Sequence, residues 1–293
     1  MGENSRKRKQ RHLDRASAKS QTPAPKSPLV ARTGLAAPAG VDIVRRANEF
    51  FSRPDLVPGC YDDPDFQALE RLDRTVLERY ALHVLTEGAK RNSGRDDAIR
   101  GVVERFSAAL AAMSPAESIG QCVHIAAKLI RSLEMIGVWC FGTKGATSAY
   151  TTDGKNPDGT HFYAIDDVDF RGGTPGHLWV VAPPFMVIDC SIFYQGWEPT
   201  VRVAMDRLVL SRTPISEAPD FNKLAAPTYR GDPRARAKFA QLRQTFWPWL
   251  NCFRVELERV RLHYVPYGVM LPLEPATAYT FGGHPLTTFI EGL

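Results

Sequence analysis

Gly176-His177-Leu178-Trp179-Val180-Val181-Ala182-Pro183-Pro184-Phe185-Met186-Val187-Ile188-Asp189 is the stretch that decides how this chain is read. Two short runs rich in Val, Ile and aromatic residues flank a Pro-Pro pair. That is the pattern of two strands joined by a turn. The two arms are of nearly equal length, so His177 and Asp189 fall at the same end of the expected hairpin. A carboxylate inside an apolar strand is costly to bury unless it is paired. An imidazole N–H at that end would pair it and fix the ring's tautomer, as in other triads. Gly172, Gly173 and Gly176 precede His177, so a loop feeds directly into the strand, a usual setting for a functional side chain. A histidine on an apolar strand also serves as a purely structural residue, and that reading stands beside the first.

Upstream, Gly120-Gln121-Cys122 leads into a helix. Val123, Ala126, Ala127, Ile130, Leu133 and Ile136 recur at helical spacing and form one apolar face, and Gly137 closes it. Cys122 therefore opens the helix, where unpaired N–H groups and the macrodipole favour a negative sulfur. The same turn offers backbone N–H groups to an oxyanion. The alternative is that Cys122 is a small buried hydrophobe, as free cysteines usually are. A thiol, a base to take its proton and a third group to orient the base make up the arrangement nucleophilic thiol chemistry requires.

In this order and on these elements, the motifs resemble the transglutaminase-like superfamily of the papain-like fold. Gly120-Gln121-Cys122 with Ala126-Ala127 resembles that family's cysteine helix, His177-Leu178-Trp179 its His-x-Trp strand, and Val187-Ile188-Asp189 its acid strand. The resemblance covers roughly residues 114–200. It implies Cys122 as nucleophile, His177 as base and Asp189 as orienting acid. It further implies cysteine-dependent acyl transfer on an amide through a thioester, as in a thiol protease, amidase, deamidase or transglutaminase. A protein or peptide substrate follows, and neither metal nor organic cofactor is needed. Two positions depart from the family pattern: Val123 stands where an aromatic residue often follows the cysteine, and Cys190-Ser191 follows the acid. Gln121, Trp179, Tyr194 and Trp197 are candidates for the oxyanion site or the substrate cleft, with a place in the core the competing reading for the three aromatics.

Other readings use the same residues. His161 is a rival base, and His124 lies on the far side of the helix from Cys122, which makes it a poor partner. Zinc binding by Cys122, Cys140, Cys190 and a histidine would need closer ligand pairs than the sequence offers. A non-catalytic binding module on the same fold is the main alternative. An arylamine N-acetyltransferase-like acyltransferase is a further one, although the arginine-glycine context of that family's cysteine is missing.

Working outward, residues 41–136 read as helical. Val41 to Phe51 is one amphipathic segment. Asp63-Pro64 caps a second, whose apolar positions run from Phe66 to Leu85, and Asp96 to Met113 is a third. Residues 137–212 read as strand-rich, beginning at Val138 to Phe141. A polar, Gly-rich stretch from Thr143 to Thr160 is expected to be a hairpin or long loop, with a strand over His161 to Ile165 after it. Arg207 to Ser211 is a further strand. In residues 213–293 we expect a loop over Ser216 to Asp232, a helix over Pro233 to Leu250 and one strand over Arg254 to Tyr267. Leu271 to Leu293 shows little pattern. Helices first and a meander of strands after Gly137 indicate α+β, with a helical layer on an antiparallel sheet in a single domain over residues 41–293.

Residues 1–40 are basic and then rich in Ser, Ala and Pro, and are expected to be a disordered tail. Residues 1–33 carry nine Lys or Arg against two acids, a surplus of +7. The rest of the 293-residue chain is then at −2, so the overall +5 is no argument for a nucleic-acid groove. The run Arg6 to Arg11 suits a polyanion contact or a nuclear targeting signal, or is simply a solvated tail. The five cysteines include no Cys-x-x-Cys pair, which argues against a disulfide framework and fits a reducing compartment. No apolar run is long enough for a transmembrane helix, and no h-region follows the basic start. The expectation is a cytoplasmic protein without membrane contact.

Overall fold

The computed structural model describes residues 42–113, 121–155, 159–162, 176–217, 221–224, 230–237, 240 and 252–291. All of them fall in one compact unit, Ala37–Leu293. The basic tail, the Ser114-Pro115 start of the cysteine segment, the glycines before Gly176 and most of the helix expected before Leu250 lie outside the described residues.

The first half is helical. Helix α1 (Ile43–Phe51) is capped by Asp42, whose carboxylate accepts from the Arg45 amide at 2.9 Å. Helix α2 (Pro64–Leu72) starts where the Asp63-Pro64 pair predicts. Asp63 accepts from the Asp65 amide, and Pro64 occupies the first turn, where its missing N–H costs nothing. The periodic run from Phe66 to Leu85, however, is not one helix. Asp73 is extended and caps a new helix, accepting from the Thr75 amide at 2.9 Å. Helix α3 (Thr75–His83) then continues through a π-helical turn at Val84–Gly88 to Arg91. Helices α4 (Asp96–Ala112) and α5 (Cys122–Met135) follow the sequence expectation, with Gly137 in the left-handed region (φ 77°) after α5.

The second half is an antiparallel sheet. Its strands are β1 (Phe141–Thr151), β2 (Thr160–Phe162), β3 (His177–Ala182), β4 (Phe185–Asp189), β5 (Val209–Ser211), β6 (Ile215–Glu217), β7 (Cys252–Glu256) and β8 (Val260–Met270). They are ordered β5-β4-β3-β1-β8-β7-β6, with β2 also on β1. Short helices α6 (Pro199–Ala204) and α7 (Phe221–Leu224) lie between strands. A two-stranded β9–β10 ribbon (Thr280–Phe281, His284–Pro285) and α8 (Leu286–Ile290) occupy the stretch from Leu271 onward.

Two expectations are corrected here, and a third is made specific. The Thr143–Thr160 region is a hairpin, with β1 paired antiparallel to β2 (Thr147 opposite Phe162, Ala149 opposite Thr160), and β1 is at the same time the middle strand of the sheet. Its Gly, Ala, Ser and Thr residues are small because β3 and β8 flank β1 closely and large side chains from those strands lie across it. The Arg254–Tyr267 segment is two strands, since Glu258 and Arg259 turn the chain between β7 and β8. The Ser216–Asp232 loop contains part of β6 and the turn of α7.

Two cores result, one on each face of the sheet. Trp179 and Val181 of β3 point into a core with α1 to α3, together with Tyr264 and Leu262 of β8. The alternate residues Leu178, Val180 and Ala182 point into the other core, with α4 and α5. Each fully buried Leu or Ile in these cores contributes about 1.5–3 kcal/mol. The architecture is therefore α+β, a sheet covered by helices on both faces. Among the described residues no helix is long and apolar enough to cross a membrane.

Candidate active site

Cys122 is the first residue of α5, and Gln121 before it is exposed with no side-chain capping bond. The helix lies against β3, so its N-terminus comes over the start of that strand. The Cys122 thiol donates to the Gly176 carbonyl at 3.9 Å, immediately beside His177. His177 is the first residue of β3. Its ring lies on the Trp179 face, whereas α5 covers the opposite face. The sulfur and the ring meet around the end of the strand, beside the Gly176 backbone.

The hairpin around Pro183-Pro184 brings the acid to the ring. Val180 pairs with Ile188, which leaves His177 and Asp189 diagonal to each other on one face. His177 Nε2 and Asp189 Oδ2 are 2.5 Å apart. Both side chains are buried, at 1% relative exposure each, and Cys122 is at 4%. Burial alone would lower the imidazole pKa, but the Asp189 charge, the hydrogen bond to it and the neighbouring Cys122 outweigh this and raise it to about 10. The other ring nitrogen, Nδ1, is buried with no aligned hydrogen-bond partner. The resting thiol points its proton at the Gly176 carbonyl, which leaves Nδ1 unoccupied on the ring that the sulfur flanks.

Asp189 is fully engaged. Its Oδ1 accepts from the Ser191 amide and the Ser191 hydroxyl, both at 3.0 Å. Its Oδ2 accepts from the Tyr264 hydroxyl at 3.1 Å as well as from His177. Tyr264 belongs to β8, on the far side of β1 from β3, and burial and the adjacent carboxylate keep its hydroxyl protonated by raising its pKa well above the usual value. Nothing in the sequence near the three motifs points to it. Strand β1 makes the reach possible. Gly145 pairs with His177, and a Cβ there would come within 2.3 Å of the Val265 carbonyl and 2.4 Å of the Trp179 ring. The ladder also slips between Lys144 and Gly145, opposite Pro266, which has no N–H to give.

The other sequence candidates take different places. Trp179 adjoins the site, its ring roughly parallel to His177 (23°, centroids 6.5 Å apart) and edge-on to Tyr264 at 5.0 Å. It is buried, so it is a packing neighbour of the His177 ring and not an open cleft wall. Tyr194 is buried in the α4–α5 core and Trp197 in the opposite one, and neither presents a cleft surface. His124 is exposed on α5, and the side chain of His161, the rival base, lies outside the described residues. Among the described residues no group of three or more His, Cys, Asp or Glu is placed to hold a metal. None of the five cysteines forms a disulfide, and all are buried.

The arrangement can pass a proton from sulfur to imidazole and hold the resulting imidazolium against a fixed carboxylate. Searches for a matching family model, a similar characterised protein or a similar solved structure found none.

Proposed function

We propose that this chain is a thiol acyl-transfer enzyme with a transglutaminase-like, papain-like arrangement, acting on an amide through a thioester on Cys122. The observation that carries the reading is the His177–Asp189 pair, with the Cys122 sulfur flanking the ring and Nδ1 left open. Cys122 gives its proton to Nδ1, and the sulfur attacks the amide carbon. The oxyanion that forms faces the N–H groups at the start of α5. The C–N bond then breaks, and the imidazolium returns its proton to the leaving amine. Water or a second amine attacks the thioester, gives its proton to His177 and releases the thiolate. Hydrolysis makes the enzyme a protease, amidase or deamidase, and amine attack makes it a transamidase. Asp189 holds the ring's orientation and balances the imidazolium charge. A protein or peptide is the substrate class the resemblance implies, and the basic N-terminal run is a candidate contact for a polyanion.

One observation favours a second reading. All three groups are almost completely buried, as they would be in a binding module that keeps the triad only as packing. Two experiments separate the readings. Cys122 of an enzyme is carbamidomethylated by iodoacetamide at a pH well below that required by the other four cysteines, and equal labelling supports the binding module. The full chain, incubated with a peptide library and a primary amine, gives cleavage, deamidation or amine incorporation by mass spectrometry that Cys122→Ala abolishes. No Cys122-dependent product in any of the three channels rejects the proposal.

A further inference from the structure

Asp189 is held by more donors than orienting an imidazole requires. Two of its contacts come from the next turn of the same segment, the Ser191 amide and hydroxyl on Oδ1. The third comes from a distant strand. The Tyr264 hydroxyl shares Oδ2 with His177 Nε2. Tyr264 is wholly buried and edge-on to Trp179, whose own ring lies over Gly145. The chain therefore carries a phenol across the central strand and fixes it on the one oxygen that the base uses.

We propose that Tyr264 is a positioning residue of this site, acting on His177 through Asp189 and governing how firmly the imidazole holds its proton. The inference rests on the function proposed above. A carboxylate oxygen that accepts from two donors offers each less negative charge than it would offer one alone. The phenol is neutral and buried, so it draws on Oδ2 without adding a charge of its own. Without it, Oδ2 pulls harder on the imidazolium, and the ring is slower to return its proton to a leaving amine. Its second effect is geometric, since with Ser191 on Oδ1 it fixes the plane of the carboxylate. Among the described residues, the titratable groups beside the pair are Cys122 from α5 and Tyr264 from β8, while the Cys190 thiol, next to Asp189 in the chain, turns into the opposite core and donates to the Val103 carbonyl.

The test is ¹⁵N-histidine NMR of the full-length chain in a Cys122→Ala background, so that the sulfur does not titrate with the ring. The His177 midpoint is compared with and without Tyr264→Phe. Loss of the hydroxyl raises the midpoint by about one pH unit, the scale of one hydrogen bond to a charged group. It also moves the Nε2 proton downfield as the remaining bond shortens. Ser191→Ala gives a smaller shift in the same sense, because Oδ1 keeps the Ser191 amide. An unchanged or lowered midpoint in Tyr264→Phe overturns the proposal. If that protein fails to fold by circular dichroism, Ser191→Ala decides, and an unchanged midpoint there overturns it as well. The function reading fails separately, if wild-type Cys122 is alkylated like an ordinary thiol. That result leaves the His177 titration standing.

Discussion

Helix α5 has a largely buried polar cluster near each end, with Asp62 the exposed member of one, and the two differ in what they leave unspent. Near its C-terminal end, Arg131 donates from Nε to the Glu274 carbonyl, from one terminal nitrogen to Asp62 and Glu134, and from the other to Asp62 again. The Tyr61 hydroxyl donates to Glu134, and the guanidinium lies over the Tyr61 ring. Every nitrogen of a permanent cation is engaged, and the cluster ties α5 to the segment before α2 and to the chain after β8. At the N-terminal end the parts are similar: a cation-forming side chain, a carboxylate and a tyrosine hydroxyl. There the ring keeps Nδ1 unpaired, and the group beside it is a thiol. The Arg131 cluster, with every guanidinium nitrogen paired and Glu134 Oε1 the oxygen left over, serves as a fastener. The cluster that holds back a ring nitrogen beside a thiol can move a proton.

The largest test of this contrast is Asp189→Asn. It keeps the shape and removes the charge, so turnover of the amide substrate falls by about 10³–10⁴-fold, a loss of the kind seen when a triad's acid is made neutral. The fold is retained, and mass spectrometry of the products with circular dichroism of the protein reads both. Arg131→Ala is the opposite case. It leaves Glu134 buried without its cation, and urea unfolding shows a loss of about 3–5 kcal/mol. A stability change in Arg131→Ala no larger than that of an exposed salt bridge would remove the fastener from the comparison.

Gly145→Ala sharpens the comparison from the sheet side. The added methyl meets both a backbone carbonyl and the Trp179 ring, so the chain loses about 1–3 kcal/mol. The displaced indole also disturbs Tyr264 and lowers turnover, whereas a simple packing cost leaves turnover of the folded fraction intact. The smallest effect is in pH dependence. Burial pushes the Glu134 carboxyl up to about 7 from 4.5, against the pull of Arg131 and Tyr61. A raised folded pKa gives stability that is full below 4.5 and lost as pH rises through about 7. His177 has the same sign in a later window, full below 6.5 and lost through about 10. Glu134→Gln therefore flattens the stability profile in the acidic window and leaves the alkaline one, as read by urea unfolding across pH.

Much of the site was legible because its signals are local. The α5 boundaries follow from an apolar face that opens at Cys122 and ends at Gly137. The hairpin follows from two β-branched runs about Pro183-Pro184, and its equal arms place His177 beside Asp189. What was not legible depends on neighbours. Strand β1 reads as one arm of a hairpin or as a long loop, and not as the middle strand of a sheet, because its small residues answer to the side chains that lie across it and not to strand propensity. Trp179, Tyr194 and Trp197 read as cleft or core alike, since an aromatic residue near a motif looks the same in either until burial is known.

The sequence by itself determined where the chain turns helical, where it turns to strands, and which thiol, imidazole and carboxylate are candidates for chemistry. Periodicity, capping residues and turn residues act over a few positions, so they survive being read along the chain. Only the tertiary structure decided that Tyr264 shares an oxygen with His177, and that the absence of a side chain at Gly145 leaves room for the ring beside it. Those contacts join strands far apart in the polymer, and a hydrogen bond between them is set by sheet order and register, which no short stretch encodes.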